Sequence, residues 1–351
     1  MRKSILLSFV LCLFSIFLPV LTHTKAENIG TEKKEEPKLI QEKTPEKTEK
    51  PDENEYDSAI TFKVKVGEEI LEMSMDEYLP GVLAAEMPAS FPEEALRAQA
   101  VAARSFILYR LAHPATDGVH DGAALCSTPS HCKGYINISD PEIAEGLFGA
   151  ASDIYVEKLN RAVSDTDGEV MLYGGEPILA AFHAISGGMT ENACDVWGGN
   201  VSYLTSVESP GEEVAEKFAS VVEYDVQTYK EKLSALCDTD ALGEDPAMYI
   251  QDIERSEAGG IIRATVGGTQ VKGSALRTAL ALNSTDFTVE LSGDGAVVRL
   301  SVTGYGHGVG MSQYGARAMA MEGANYEEIL THYYTGAVLA KVDENPVVNP
   351  E

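Results

Sequence analysis

The chain reads as an α+β protein of mixed helices and small antiparallel sheets. Three observations predict this class. Helical periodicity clusters after residue 73 and again after residue 310, whereas short strand signals punctuated by Gly-Gly and Gly-Asp-Gly fill 248–302. Strands and helices do not alternate in the βαβ rhythm that a doubly wound sheet requires. No stretch repeats at a fixed period, so stacked-repeat architectures are excluded. At 351 residues the chain has room for one large domain or two ordinary ones.

The two ends are read as lying outside the fold. Arg2 and Lys3 precede an apolar run from Ile5 to Leu21, which suits a membrane anchor or a signal segment over residues 1–25. The positive flank on its N-terminal side puts the remainder outside the cytoplasm. Cleavage would release the protein, and Thr24-Lys25-Ala26 is a poor cleavage site, so an uncleaved anchor is the favoured expectation. Residues 26–58 are rich in Glu, Lys and Pro and nearly free of large apolar side chains, as expected of a disordered charged tether. The body is expected over 59–343, with a short tail over 344–351. With 55 acidic against 27 basic residues and a net charge of −28, bulk electrostatics exclude binding to nucleic acid.

The body opens on a strand, where Ile60-Thr-Phe-Lys-Val-Lys-Val66 alternates apolar and polar residues. Ser74 and Glu77 then form a capping-box pattern for a helix carrying Leu79, Val82, Leu83 and Glu86 on one stripe. Glu86 continues the apolar series, so its carboxyl should lose hydration, rise in pKa and stay protonated near neutrality. Such a group can donate a proton to a glycosidic oxygen. The competing reading is an ordinary Glu at a helix end before Pro88. A second helix runs from Pro92 to about Leu111, and alanine at 95, 98, 100, 102 and 103 keeps it thin enough for close neighbours. Arg97 and Arg104 share one of its faces, either as a solvated basic face or as a clamp for an acidic group. Strands are expected at 163–172 and 178–185 and a helix over 215–238. Two closing helices are expected, Met311–Glu322 stopped by Gly323, and Asn325–Thr335 capped by Asn325 and Glu328 and stopped by Gly336.

Three further patterns bear on chemistry. Ser186-Gly187-Gly188-Met189-Thr190 supplies small residues, amides and hydroxyls that suit sugar binding, or else makes a plain turn. Trp197 follows, as a sugar-stacking platform or a core residue, and Tyr203 as a lining of the same cleft. Gly304-Tyr-Gly-His-Gly-Val-Gly310 strips one side of an extended segment so that a ligand or another backbone can approach, with His307 on the other side as a cleft-lining or a structural residue and Gln313 and Tyr314 just beyond as further candidate glycan contacts. His120, Cys126, His131 and Cys132 fall within thirteen residues and suit a closed, structural zinc site. A Cys126–Cys132 disulfide is the alternative outside the cytoplasm. Cys194 and Cys237 could be buried thiols or a second bridge. A zinc peptidase would need an open coordination position, which four protein ligands deny. Glu191 and Asp195 are possible second carboxyls, although charged residues beside Gly and Asn usually lie on loop surfaces.

Five stretches in order resemble the stage II sporulation protein D (SpoIID) family. They are Tyr78-Leu-Pro-Gly-Val-Leu-Ala-Ala-Glu86-Met-Pro, the Ala-Leu-Arg-Ala-Gln-Ala-Val-Ala-Ala-Arg-Ser helix, Phe182-His-Ala-Ile-Ser-Gly-Gly-Met-Thr-Glu191, Gly273-Ser-Ala-Leu-Arg-Thr-Ala-Leu-Ala-Leu-Asn-Ser-Thr-Asp-Phe287, and Gly304-Tyr-Gly-His-Gly-Val-Gly-Met-Ser-Gln-Tyr-Gly-Ala316. The resemblance implies a lytic transglycosylase of cell-wall peptidoglycan with Glu86 as the catalytic acid. It implies action in engulfment beside stage II sporulation proteins P and M, on the mother-cell membrane facing the intermembrane space. Clostridial members resemble this chain in carrying a zinc site. Vegetative relatives that enhance amidases imply the alternative of a non-catalytic glycan-binding stimulator.

Overall fold

The computed structural model describes residues 56–341. The readings of the anchor, the tail and all of the tether before Tyr56 lie outside the described residues. No helix among the described residues is long and apolar enough to cross a membrane.

Packing starts slightly before the expected boundary at 59. A short helix, α1 (Tyr56–Ala59), buries Asp57. The hairpin β1 (Thr61–Val66) and β2 (Glu69–Ser74) follows, and Ser74 N–H donates to the Glu77 carboxylate (3.0 Å) at the start of α2 (Met75–Glu86). Helix α3 (Glu93–Ala112) is the centre of the larger core. Its alanines at 95, 98, 100, 102 and 103 are all buried, which lets α2 and later elements pack close around it. Strand β3 (Leu125–Cys126) pairs in parallel with Val64 and Lys65 of β1.

Two helices were not legible in the sequence: α4 (Pro141–Phe148), capped by Asp140, and α5 (Ser152–Ser164). The second takes the first residues of the expected 163–172 strand. Leu159, Ala162 and Val163 are buried at helical spacing, and the strand β4 is confined to Glu169–Tyr173, paired with β5 (Glu176–Pro177). Only Phe182–His183 of the expected 178–185 strand enters a ladder, as β6. A short helix, α6, spans Ala193–Trp197.

The expected helix over 215–238 is corrected. Ala219–Asp225 forms strand β7, whose exposure alternates, and only Val226–Leu233 is helical, as α7. The Ser-Val-Val-Glu-Tyr run favours a half-covered sheet surface, and the Asp225 carboxylate accepts the Thr228 N–H (2.9 Å) to start the helix. The strand block holds as β8 (Ile250–Arg255), β9 (Ile261–Val266), β10 (Thr269–Lys272), β11 (Asp286–Leu291) and β12 (Val297–Thr303), with α8 (Gly273–Ala279) between β10 and β11. The orders β10-β9-β8 and β11-β12-β7 are antiparallel throughout and enclose a second core around Tyr229, Leu276, Phe287 and Leu300. Mixed helices and small, mostly antiparallel sheets make the α+β class.

The end of the body returns to the first core. Met311–Ser312 form β13, parallel to β6, so the next helix, α9, starts later than expected, at Gln313, and ends at Met321. Helix α10 (Tyr326–Tyr333) carries the expected Asn325–Glu328 capping box, and β14 (Val338–Lys341) closes against β4.

Helix α8 ends with its chain reversal carried by Ala281, at φ 51°. Its N–H reaches Thr278 O (3.2 Å), and the N–H of Leu282 reaches Arg277 O (2.9 Å), a pattern that favours glycine at the left-handed position. Ala281→Gly should relieve about 1–2 kcal/mol of left-handed strain against about 0.4–1 kcal/mol of added chain entropy in the unfolded state. The expected outcome is a net gain of about 0.5 kcal/mol, visible as a higher urea midpoint at unchanged slope.

Candidate active site

Glu86 is the last residue of α2, where the helix has brought it beyond the fully buried Leu79, Val82 and Leu83. Part of its surface stays exposed, while its carboxyl is enclosed by the loop that follows Cys132. Gly134 N–H donates to Oε1 (2.8 Å). Burial raises the carboxyl's pKa, and Lys133 and the Gly134 N–H oppose that rise. The sequence expectation of a desolvated acid therefore has a concrete cause.

Lys133 was not legible as a site residue, and no local sequence signal marks it. It is buried, with Nζ 3.4 Å from the centre of the Phe182 ring and 4.4 Å from that of Phe106. Two ring faces hold the ammonium beside Glu86. Burial pulls its pKa down to about 8, and Glu86 pulls it back up.

The Lys133 charge is felt by His307, which stands between His183 and Trp197 at ring-centre distances of 5.6 and 5.4 Å. His307 Nδ1 accepts the Val309 N–H (3.0 Å), and burial pushes its pKa well below the ordinary range, so the ring is neutral. His183 Nδ1–H donates to Val309 O (3.2 Å), and burial holds its pKa at about 4. Trp197 is 42 % exposed, so it is not a core residue, and its free surface lies beside His307.

The glycines from 304 to 310 all have positive φ and do not form an extended strand. A Cβ at Gly306 would lie 2.7 Å from His183 Cβ, and one at Gly308 would lie 2.6 Å from Glu191 Cγ. The neighbour that requires glycine is the protein's own 181–191 segment.

Several nominated residues are committed elsewhere. Arg104 is fully buried: its guanidinium binds Asp57 (2.6 and 2.8 Å) and the carbonyls of Glu169 (3.0 Å) and Val163 (3.3 Å). Arg97 is held by Asp165 (2.5 Å) and Glu94. The clamp reading is corrected for both, because internal carboxylates occupy the guanidinium groups. The sugar-binding reading of 186–190 is corrected too. The N–H groups of Ser186, Gly187 and Gly188 all donate to Glu212 Oε2 (3.1, 2.9 and 3.1 Å), and Thr190 is fully buried against Val207. Gln313 is buried against Gln99 (3.3 Å), Tyr314 packs edge-on to Phe91, and the Tyr203 hydroxyl accepts the Leu179 N–H (2.8 Å).

Glu191 is buried rather than on a loop surface. Its Oε1 accepts the Gly260 N–H (3.1 Å), and burial raises its pKa. It joins the two cores, since Gly260 lies in the β8–β9 connection. Asp195 is half-exposed and accepts from Asn192 (3.0 Å).

The His/Cys residues converge. The donor atoms of His120, Cys126, His131 and Cys132 all lie within 4.8 Å of one another, with His120 Nε2 3.2 Å from Cys132 Sγ and Cys126 Sγ 3.4 Å from His131 Nδ1. Tetrahedral zinc with bonds of about 2.0–2.3 Å would need donors roughly 3.3–3.8 Å apart; the closer pairs are near that spacing, and the widest, at up to 4.8 Å, would have to draw in on binding. Asp117 binds His131 Nε2 (2.6 Å), which fixes the ring with Nδ1 toward the other donors. Cys126 and Cys132 are free thiols, not a disulfide; Cys194 and Cys237 are free as well, the former exposed. The same loop is fastened to α2: Tyr135 stacks on Tyr78 at 5.1 Å, and Ile136 N–H donates to Gly81 O (3.1 Å). Whatever holds His131 and Cys132 therefore also positions Lys133 and Gly134 against Glu86.

A family model described as SpoIID, stage II sporulation protein, matches residues 65–173. Stage II sporulation protein D of Bacillus subtilis is 33% identical over 274 residues, covering 77% of this chain and 75% of that protein. The protein of the same name from Bacillus amyloliquefaciens is 33% identical over 270 residues, covering 77% of this chain and 75% of that protein. An amidase enhancer of Bacillus subtilis is 28% identical over 309 residues, covering 74% of this chain and 40% of that protein.

Proposed function

Since this chain belongs to the stage II sporulation protein D family, we propose that it serves sporulation as a lytic transglycosylase of peptidoglycan, with Glu86 as its acid and base. The observation that carries this reading is the enclosed carboxyl of the partly exposed Glu86, raised in pKa by burial and flanked by Lys133 and the Gly134 N–H.

Glu86 gives its proton to the oxygen that links N-acetylmuramic acid to N-acetylglucosamine. The C1–O bond breaks, and positive charge grows on the muramic ring. The Glu86 carboxylate left behind is stabilised by the adjacent ammonium and amide. It takes the proton of the C6 hydroxyl while that oxygen bonds to C1, closing a 1,6-anhydro ring. One carboxyl suffices because no water is activated, whereas hydrolytic glycosidases use two. Trp197 offers an exposed aromatic face for a sugar ring.

Zinc belongs to the same proposal as a structural ion held by His120, Cys126, His131 and Cys132. Bound there, it would supply a cross-link that keeps the Lys133–Gly134 segment in place. Metal analysis should find about one zinc per chain. Chelation should raise the count of reagent-accessible thiols by two, as Cys126 and Cys132 are released; thiols equally accessible before and after chelation would remove the metal from the proposal.

The proposal places the body outside the cytoplasm, tied to the membrane by the N-terminal segment. Glycan strands are its substrate, and stage II sporulation proteins P and M are its partners. A second reading, a glycan-binding stimulator of an amidase, is favoured by the similarity to an amidase enhancer. Mass spectrometry of digested, purified glycan separates the two. Anhydro-muramic ends from this protein alone support the first, and their absence with amidase stimulation intact supports the second.

A further inference from the structure

The cations around the site differ in what they bind. Arg97 and Arg104 are taken by carboxylates, and Lys133 sits between two aromatic rings. Arg277, on α8, is half-buried and pairs with no carboxylate among the described residues. Its Nε donates to Leu282 O (3.3 Å), and its remaining N–H groups have no protein acceptor among the described residues. A guanidinium has five N–H donors in a rigid fork, and those of Arg277 that meet no protein acceptor are not buried, so they are open to an incoming ligand. Burial lowers the guanidinium's pKa, and Tyr305 opposes that shift.

Its position links it to the site. The next residue after Leu282 is Asn283, whose carbonyl accepts the Gly306 N–H (2.9 Å), so the loop that Arg277 touches is fastened beside His307. Both His183 and His307 feel the Arg277 charge. Arg277 therefore offers open donors beside this segment, which suit a ligand bearing a carboxylate. In a chain of net charge −28, such a ligand needs a local cation to hold it.

We propose that Arg277 receives a carboxylate of the glycan strand by a two-point guanidinium contact and thereby selects which strands the site accepts. This rests on the glycan reading above. The carboxylate could come from the lactyl group of a peptide-free muramic acid or from a stem peptide.

The test is equilibrium binding in a Glu86→Gln background, where no turnover interferes. The ligands are purified peptide-free strands, peptide-bearing strands, and peptide-free and peptide-bearing strands whose carboxyls have been converted to methylamides. Arg277→Gln should weaken binding of the recognised acid strand at least about 10-fold and leave the amidated strands unaffected, with Arg277→Lys in between. A loss confined to peptide-free strands identifies the lactyl group, and one confined to peptide-bearing strands identifies the peptide; either supports the proposal. Equal affinity of the Arg277 protein for acid and amidated strands would overturn it. That comparison uses no Arg277 variant, so it decides the matter even if Arg277→Gln misfolds. Should the native protein bind acid strands selectively yet release no anhydro ends, the transglycosylase reading falls and the carboxylate contact stands.

Discussion

Glu86→Gln is expected to lower glycan cleavage by about 10²–10⁴-fold, the usual worth of a general acid or base, while leaving the fold intact. Gln has nearly the same shape, can still accept the Gly134 N–H, and cannot donate or reclaim the reacting proton. The variant should also separate activity from stability. The folded-state pKa of Glu86 lies above its ordinary value, so the folded state holds this proton more tightly. That contribution is fully present below the ordinary carboxylate range and is lost as pH rises through the raised value. Gln mimics the protonated form at every pH. Calorimetry should therefore find the variant equal to the native protein at about pH 3, where the carboxyl is protonated in both the folded and the unfolded state, and more stable at about pH 8. The native enzyme's acid-dependent step should weaken over the same rise. A variant that melts well below the native protein at both pH values would show that the carboxylate builds the fold, and its lost activity would no longer argue for acid catalysis. Lys133 enters through the same balance: its charge favours the carboxylate, and Lys133→Met should push the Glu86 pKa higher and remove stabilisation from the ionised form.

What was legible in the sequence follows from how far each signal reaches along the chain. The capping boxes at Ser74–Glu77 and Asn325–Glu328 involve residues three apart, and both occur. The stripe ending at Glu86 is equally local, and so is the cluster from His120 to Cys132. Arg104 was misread because its partner, Asp57, lies 47 residues upstream in a stretch that reads as a solvated tether. Glu212 was missed because Ser209-Pro-Gly-Glu-Glu213 looks like an exposed turn, and the groups that bury it come from residues 186–188 and 312. The same blindness misassigned the Gly-Gly loop, whose amides are indeed displayed together but toward a carboxylate of the same chain. Residues 219–225 failed differently. Their alternation was present, and the neighbouring helical run from Val226 obscured it.

The Glu212 arrangement leads to the largest expected loss of stability. This fully buried carboxylate accepts the N–H groups of Ser186, Gly187 and Gly188 and the hydroxyls of Ser186 (2.7 Å), Ser209 (2.9 Å) and Ser312. One side chain thus ties the 186–188 loop to the turn before α9. Glu212→Ala would leave these donors facing a cavity. A buried donor without an acceptor costs about 1–3 kcal/mol, and partial relaxation or water entry prevents the costs from adding fully, so a loss of about 4 kcal/mol is expected. For a domain of this size that is a fall in Tm of roughly 7 °C. Glu212→Gln should lose less, since its carbonyl can still meet the three amides and the serine hydroxyls can turn to accept its N–H₂. Hydrogen exchange adds a local readout: the amides of Gly187 and Gly188 should lose protection in Glu212→Ala and largely keep it in Glu212→Gln. If the alanine variant kept both its Tm and those protected amides, the loop would have to be held by something other than this carboxylate. The sugar-binding reading of its N–H groups, set aside because Glu212 occupies them, would then reopen.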